Sequence, residues 1–287
     1  MNSISLQSSR LSARRKFYDK VVKYVVIFLA ILSTLPLLLI FYYVFSQGAS
    51  SVNFHFLANL PKPVGESGGG IANAIIGTLI LVAGASLLAL PVGIATGIYL
   101  SLRGKKRDGY IVRLALDILQ GIPSIVIGIV AYIWIVLPMG KFSLIAGSIA
   151  LGMMMLPVVA RSAEETLLLV PASYKEAALS LGAPEYMAIL QVVLPAGIHG
   201  IAAGALISIA RICGETAPLL FTAFGSPFMN MNVFKPVSSL PLIIFNYAIS
   251  PYEDWHKLAW GASFVLLMMV LILSTGTSLI LRKNHNS

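Results

Sequence analysis

Two charged residues, Arg211 and Glu215, stand four positions apart in the apolar sequence GALISIARICGETAPLL of residues 204–220. The planar guanidinium of Arg211 can bind an oxyanion through two parallel hydrogen bonds, and the carboxylate of Glu215 can accept a hydrogen bond from a protonated oxyanion. At this spacing both side chains lie on one face of a helix, where they partly neutralise each other. The pair predicts either a transient oxyanion contact or an ion pair that only fixes helix packing.

The helix that carries this pair is one of several predicted to cross a membrane. The chain is 57% hydrophobic and only 11% charged, which is too apolar for a soluble domain of its length. Segments that approach or exceed the roughly 20 apolar residues needed to cross a bilayer are 25–45, 71–100, 111–137, 142–160, 198–224 and 258–281. None alternates like a barrel strand, so we predict an all-α polytopic membrane protein with six transmembrane helices.

In the predicted fifth span, 198–224, Arg211 lies 13 residues from each end. An ionised side chain at mid-membrane costs about 2.5–3.5 kcal/mol, so Arg211 must face the protein interior or water. Pro218 cannot donate to the carbonyl of Gly214, and we expect the helix to bend in this turn. Membrane proteins rarely keep a charge at this depth without a function, so we favour the oxyanion contact over the packing role.

The basic residues predict how the spans are oriented. Fifteen of the 20 Lys and Arg residues precede the first span or fall in 101–113, in 161–195 or at the C-terminus, and four fall in the alternate loops. By the positive-inside rule, both termini lie in the cytoplasm of a multi-pass plasma-membrane protein. The net charge of +9 follows largely from this bias, and it gives no support for a nucleic-acid partner.

The segment 161–195 is a long, amphipathic, cytoplasmic loop. Ser173, followed by Glu176 three residues later, forms a capping-box pattern that predicts the start of a helix. Gly182 fits the C-terminus of that helix, and Pro184 fits the first turn of the next one. The loop therefore predicts a short helix, a sharp turn and a second helix that runs into the fifth span. A short helix presented in this way is a docking element.

This short helix resembles the E-A-A-x3-G-x9-I-x-L-P signature of ABC importer permeases. The matching residues are Glu176, Ala177, Ala178, Gly182, Leu194 and Pro195, with Val192 at the isoleucine position. The resemblance implies a type I importer permease, in which this coupling helix lies in a cleft of an ATPase subunit and transmits its closure to the membrane. The alternative is that Glu176 only caps the helix, and both can hold together.

Further stretches resemble one subfamily, the A-type permeases of phosphate-specific importers. They are GGGIANAIIGTLILVAGASLLALPVGIATGIYL, DILQGIPSIVIGI, LPVVARSAEETLLLVPASYKEAALSLGAP and ARICGETAPLLFTA, and together they cover nearly all of 68–225. The resemblance implies the type I ABC importer permease fold, an all-α core of five spans that is preceded here by one more. It also implies that Arg211 and Glu215 are transport residues.

The same resemblance implies partners. A C-type phosphate permease would complete a heterodimer, joined by two ATPase subunits and an extracytoplasmic phosphate-binding protein. No G-x4-G-K-[ST] motif occurs in the sequence, so ATP and Mg²⁺ are expected on the partner ATPase, and this chain is expected to be a transport subunit and not an enzyme. The four histidines lack metal-ligand spacing, so no metal or cofactor is predicted in this chain.

We divide the chain into three parts. Residues 1–70 comprise the cytoplasmic N-terminus, an anchor span and an extracytoplasmic loop. Residues 71–281 form the transport domain, with 161–195 as its coupling loop, and 282–287 form a cytoplasmic tail. The first span is longer than the roughly 7–15 apolar residues of a signal-peptide core, so it is expected to be retained.

Other substrates and another transporter class are alternatives. Inorganic phosphate keeps a proton near neutral pH and can donate a hydrogen bond to Glu215, whereas fully ionised sulfate cannot. Sulfate and molybdate stay open, because Arg211 can occupy Glu215 and a separate binding protein supplies much of the specificity. An ion-coupled secondary transporter has no reason to carry the signature in 171–195, and it would usually contain an internal repeat.

Two further groups of charged residues have two interpretations each. Asp117 lies one turn after Arg113 near the cytoplasmic end of the third span, which predicts a local ion pair, with a gating role as the alternative. Arg161, Glu164 and Glu165 follow the fourth span, and they either contact the ATPase or form a solvated helix face.

Overall fold

The computed structural model describes residues 2–63, 66, 68–104 and 106–285, and these form helices joined by turns and loops. In chain order the helices are α1 Asn2–Gly48, α2 Phe54–Ala58, α3 Ala72–Arg103, α4 Arg107–Gly121, α5 Ser124–Met139, α6 Leu144–Leu168, α7 Ala172–Ser180, α8 Glu185–Cys213, α9 Ala217–Thr222, α10 Leu240–Ala248 and α11 Glu253–His285. Among the described helices, α1, α3, α6, α8 and α11 are long and apolar enough to cross a membrane, and the bent pair α4–α5 makes a sixth candidate span. The predicted helical membrane architecture is confirmed.

The core of the bundle is formed by α3 and α6, which pack side by side along their lengths. Small residues let the two backbones approach, with Gly93 facing Val159 and Gly97 facing Ala163. A Cβ atom added at Gly97 would lie 2.5 Å from the Cβ atom of Ala163. Close contacts of this kind stabilise helix association in lipid, where burial of apolar surface adds little.

Two further contacts close the bundle around this core. α8 runs antiparallel to α6 and places Gly200 against Thr166. α5 packs on α9, where a Cβ atom added at Gly128 would lie 2.7 Å from the Cα atom of Pro218. The helix that carries Arg211 is thereby held by α6, and the short helix that follows it is held by α5.

The segment between α9 and α10 is fastened to the beginning of α3. The hydroxyl of Thr78 accepts a hydrogen bond of 2.8 Å from the backbone N–H of Leu240. One residue earlier, Gly77 packs directly on the backbone of Ser238, so that an added Cβ atom would collide with the carbonyl oxygen of that residue. Only glycine fits at position 77 without moving this segment.

Gly77→Ala is expected to destabilise the chain, because overpacking a tight contact costs about 1–3 kcal/mol. The midpoint of thermal unfolding in detergent should fall. Gly276→Ala is the matched control, since none of the described atoms lies within 4 Å of its added Cβ atom, and this variant should keep the wild-type midpoint. Equal midpoints for Gly77→Ala and the wild type would contradict the contact.

The predicted third span, 111–137, is wrong as a single helix. α4 and α5 meet at a bend of 102°. Ile122, between them, is extended with φ −71° and ψ 130°, because the ring of Pro123 disfavours helical geometry at the preceding residue. α4 is largely exposed, and the two helices qualify as a membrane span only as a pair.

The predicted fifth span, 198–224, is wrong in its bounds. α8 begins at Glu185 and ends at Cys213, and α9 starts after a short break. The expected interruption near Pro218 is present, but the helix ends before this residue instead of bending at it. Pro218 lies in the first turn of α9, where its missing N–H has no partner to lose.

Other predicted boundaries also differ. α1 extends back to Asn2 beyond the predicted 25–45, and α6 continues past the predicted 142–160 to Leu168. The predicted loop 225–257 contains α10, and α11 continues to His285 in the predicted tail, whose residues 286 and 287 lie outside the described chain. Hydropathy marks where apolar sequence ends, whereas these helices continue into polar sequence.

Candidate functional site

Arg211 and Glu215 lie together at the break between α8 and α9. Arg211 is in the last turn of α8, and its Nε atom is 3.7 Å from Oε1 of Glu215. The backbone tightens after Cys213, because the N–H of Gly214 bonds to the carbonyl of Arg211 at 3.2 Å and the N–H of Glu215 bonds to that of Ile212 at 3.3 Å. These turns place the carboxylate beside the guanidinium.

The depth of this pair follows from the packing of α8 on α6. Gly204 of α8 contacts Ser162 of α6, and the two helices run in opposite directions. This register places Arg211 level with about Met155, near the middle of the 25-residue α6. Met155 and Ile212, the neighbour of Arg211, belong to the same buried cluster. Arg211 therefore ends its own helix and yet lies at mid-depth of the bundle.

The side chain of Arg211 is not buried within this chain. It is 49% exposed, whereas the side chain of Glu215 is 19% exposed. Ile207, one turn earlier on α8, is exposed as well. Placing an ionised side chain in hydrocarbon costs a free energy of about 2.5–3.5 kcal/mol. This face of α8 must therefore meet water or a polar surface of another molecule. Such an arrangement can bind an oxyanion through Arg211.

The predicted coupling helix is α7, but its start differs from the prediction. Pro171 occupies the N-cap position with φ −57° and ψ 134°, and α7 begins at Ala172 without a side-chain cap. Ser173 therefore lies inside the first turn. The predicted capping box of Ser173 and Glu176 is wrong, because the N-cap position belongs to a residue that cannot form it.

The turn after α7 has the geometry that its glycine predicts. Gly182 has φ +84°, in the left-handed region that glycine enters without strain. Its N–H donates to the carbonyl of Leu179 at 2.9 Å, and the N–H of Ala183 donates to that of Ala178 at 3.2 Å. These two bonds form a Schellman motif, which ends α7 and turns the chain toward α8.

α7 is presented outward. Glu176 and Ala177 are exposed, Ala178 is half-buried, and none of the residues of α7 is fully buried. An ion pair of 2.7 Å between Nζ of Lys175 and Oε1 of Glu185 fixes α7 against the beginning of α8. The exposed large apolar residues in and near α7 are Leu168, Leu169, Tyr174, Leu179, Leu181 and Tyr186. A short, fixed and exposed helix with apolar neighbours has the features of a docking element.

Among the described side chains, Arg113 and Asp117 each pair with α6 instead of with each other. Arg113 contacts Glu164 through Nη2, and Asp117 accepts from Nε of Arg161 at 3.2 Å. Nη1 of Arg161 donates to Oε2 of Glu164 at 3.0 Å. The predicted local pair of Arg113 and Asp117 is wrong, because four side chains form one network between α4 and α6.

The three sets of predicted site residues lie in different parts of the fold. Arg211 and Glu215 are at mid-depth, Glu176 to Gly182 lie at the end of the bundle where α6 finishes, and the charged network lies between α4 and α6 close to that end. Glu164 was expected either to contact the ATPase or to be solvated. Both expectations are wrong, because Glu164 is only 2% exposed. The i, i+3 spacing of Arg161 and Glu164 in the sequence could have indicated their ion pair.

Comparisons with known proteins agree with this arrangement. Residues 89–284 match the family model described as binding-protein-dependent transport system inner membrane component. The phosphate transport system permease protein PstA of Xylella fastidiosa (strain Temecula1) is 41% identical over 241 residues, which are 83% of this chain and 84% of the relative. That of Yersinia pestis is 38% identical over 242 residues, 84% of this chain and 82% of the relative.

A more distant relative and a solved structure extend the comparison. The probable phosphate transport system permease protein PstA of Methanocaldococcus jannaschii is 35% identical over 258 residues, 90% of this chain and 91% of the relative. A chain of the MetNI methionine ABC transporter in an inward-facing conformation matches with a TM-score of 0.60 at 21% identity, over 75% of this chain and 94% of that chain. The latter likeness confirms the predicted permease fold.

Proposed function

This chain belongs to the family of binding-protein-dependent transport system inner membrane components and, within it, to the phosphate transport system permeases of the PstA type; from that premise we propose that it is the membrane-spanning subunit of an ATP-driven importer of inorganic phosphate. The relatives at 35–41% identity, whose names state phosphate transport, support the substrate. The chain is a transport subunit and not an enzyme.

The half-exposed guanidinium of Arg211 at mid-depth carries the proposal. It offers phosphate a bidentate, charge-assisted contact halfway along the path. Glu215, 3.7 Å from Nε of Arg211, restrains the guanidinium and accepts a hydrogen bond from a protonated phosphate oxygen. Fully ionised sulfate has no such proton. The exposed side of the pair keeps the contact transient, since water competes with the protein for the anion.

Partners complete the transporter. α7, with Glu176, Ala177, Ala178 and Gly182, docks in a cleft of an ATPase subunit that binds ATP and Mg²⁺ and supplies the energy. The exposed face of α8 supports a second, C-type permease that closes the other side of the path in a heterodimer. Two ATPase subunits serve the two permeases, and an extracytoplasmic phosphate-binding protein delivers the anion near 225–257. The docking part of the assignment rests on the exposure of α7.

Both termini lie in the cytoplasm in this proposal. The excess of Lys and Arg before the first span, in 101–113, in 161–195 and after the last span supports this orientation. It puts α7 on the side of the membrane where an ATPase has access to ATP. Residues 71–281 then form the transport domain, preceded by an anchor span and followed by a short tail.

Uptake by the reconstituted complex tests the proposal. The chain is purified with its co-expressed permease and ATPase, incorporated into proteoliposomes and supplied with the binding protein outside and ATP in the compartment that the ATPase faces. Accumulation of radiolabelled phosphate is expected to require both ATP and the binding protein, and excess sulfate or molybdate should not reduce it. The mass of each co-purified subunit gives the composition of the complex.

Two results would contradict the proposal. Preferential uptake of sulfate or molybdate would assign the chain to another oxyanion. Phosphate uptake driven by an ion gradient without ATP would assign it to the secondary transporters.

A further inference from the structure

The charged network between α4 and α6 joins three helices at one buried carboxylate. One carboxylate oxygen of Glu164 accepts a hydrogen bond from Nη2 of Arg113. The other accepts a hydrogen bond of 3.0 Å from Nη1 of Arg161. Arg113 also donates to the carbonyl of Gly104, the residue that ends α3, at 3.3 Å. Asp117 binds the outer side of Arg161. The network therefore contains two positive and two negative charges and is neutral.

Glu164 is the residue of this network that most needs hydrogen-bond donors. Its side chain is 2% exposed, whereas those of Arg161, Arg113 and Asp117 are 23%, 31% and 51% exposed. A buried carboxylate without compensating donors is strongly destabilising, so both arginines must stay in place while it is ionised. α4 also makes an apolar contact with α6, because Leu116 packs in a buried cluster with Ala160. The ion pairs add charged, directional contacts to this apolar one.

The position of the network in the chain joins the two proposed sites. On one side, Glu164 lies one turn before the end of α6, and α7 follows after a short connection. On the other side, α4 ends at the 102° bend before α5. α5 packs on α9 through Gly128 and Pro218, and α9 follows Glu215. A continuous series of contacts thus leads from α7 through Glu164 to the neighbourhood of Arg211.

We propose that Glu164 is a positioning residue that couples α7 to the bend between α4 and α5, so that movement of α7 on the ATPase is transmitted to the helix that packs beside the oxyanion site. This inference rests on the proposed transport function. Two arginines hold α4 on α6, and α4 follows when α6 moves with α7. Without the ionised carboxylate, Arg113 loses its ion pair on α6, and α4 follows α6 less closely through the exposed Asp117–Arg161 pair alone.

Glu164→Gln is the decisive variant, because it keeps the size of the side chain and removes its charge. In the reconstituted complex, phosphate imported per ATP hydrolysed is expected to fall at least about fivefold, which corresponds to the lower end of measured coupling free energies. Glu165→Gln is the matched control, since Glu165 is the next residue on α6 and is exposed. It should keep the wild-type ratio.

A second measurement follows the bend without phosphate. Gly121→Cys places a thiol at the exposed end of α4, in a Cys213→Ala background that removes the sole cysteine of the chain. The rate of labelling by a water-soluble maleimide is expected to change when ATP is added. The change should persist with Glu165→Gln and become much smaller with Glu164→Gln. A purely structural role would alter the amount of complex but not this response to ATP.

Each outcome decides the inference. A wild-type transport ratio and an unaltered response to ATP in Glu164→Gln would overturn it, as would a labelling rate that ATP leaves unchanged in the intact network. If Glu164→Gln does not assemble, Arg113→Lys is tested instead. This variant keeps the positive charge and loses the guanidinium fork that reaches Glu164 and Gly104. Normal coupling in Arg113→Lys would overturn the inference. Because labelling needs no phosphate, its result stands apart from the test of the substrate.

Discussion

The double variant Arg211→Gln with Glu215→Gln is expected to assemble with its ATPase partner and to lose phosphate import by on the order of a hundredfold, since a hydrogen bond to a charged group contributes up to about 3 kcal/mol. Removing both charges leaves no unpaired ion at mid-depth, so the chain keeps its packing. The phosphate contact is lost because glutamine has neither the charge nor the bidentate fork of arginine. Co-purification gives assembly, and uptake in proteoliposomes gives transport.

Two comparisons separate this result from a general effect of neutralisation. Asp19 and Lys20 are exposed residues of α1, outside the proposed transport domain, and neutralising both with Asp19→Asn and Lys20→Gln should leave uptake unchanged. Arg211→Gln alone leaves Glu215 without its partner, and reduced assembly is expected if the pair also supports packing. Uptake near the wild-type level in an assembled Arg211→Gln, Glu215→Gln complex would make Arg211 a packing residue.

Gly182→Val is expected to abolish most of the coupling between ATP hydrolysis and transport while leaving the chain in the membrane. Gly182 has φ +84°, and a residue with a Cβ atom adopts the left-handed region at a cost of about 1–2 kcal/mol. A β-branched side chain adds further restriction, so the Schellman motif opens and α7 loses its fixed end. Recovery of the ATPase on co-purification and phosphate imported per ATP should both fall.

The controls for α7 separate backbone geometry from surface charge. Gly182→Asn should behave almost like the wild type, because asparagine tolerates the left-handed region. Glu176→Lys leaves the backbone intact and reverses an exposed charge at the proposed interface, and it is also expected to weaken ATPase recovery. Glu165→Lys makes the same reversal on α6 outside α7 and should have a smaller effect. Normal ATPase recovery and uptake in both Gly182→Val and Glu176→Lys would contradict docking through α7.

The spans and the turn at Gly182 could be predicted because their causes are local. A run of apolar residues of membrane length specifies a helix wherever water is absent. Glycine at the end of α7 permits a left-handed residue that other side chains disfavour. The bend at Ile122 was also a local property, since Pro123 follows it, but the sequence is apolar on both sides of the bend and hydropathy does not detect it.

The contacts of Glu164 and Arg161 with α4 could not be predicted, because they are tertiary, whereas the i, i+3 pair of Arg161 and Glu164 had a local signal. Charged residues after Ala160 end the apolar sequence, and the predicted fourth span therefore ended there, whereas α6 continues to Leu168. Gly97 of α3 packs against the backbone of Glu164, and Arg113 reaches Glu164 from α4. That contact depends on the packing of two helices, and the spacing of Arg113 and Asp117 favoured a pairing within one helix. The sequence predicted a mid-membrane depth for Arg211 from helix bounds that are wrong. The depth follows instead from the register of α8 on α6.

The bend between α4 and α5 also bears on the distance over which the membrane voltage falls at this subunit. α5, at about 1.5 Å per residue, is about 24 Å long, against about 30 Å of hydrocarbon, so it is too short to cross the layer by itself. A span shorter than the hydrocarbon is accommodated by local thinning of the bilayer, and across a thinner bilayer the membrane voltage falls over a shorter distance. Each negative charge carried inward against an inside-negative potential costs about 2.3 kcal/mol per 100 mV. Because α5 packs on α9, we expect thinning at the bend to concentrate this electrical work in the part of the path near Arg211.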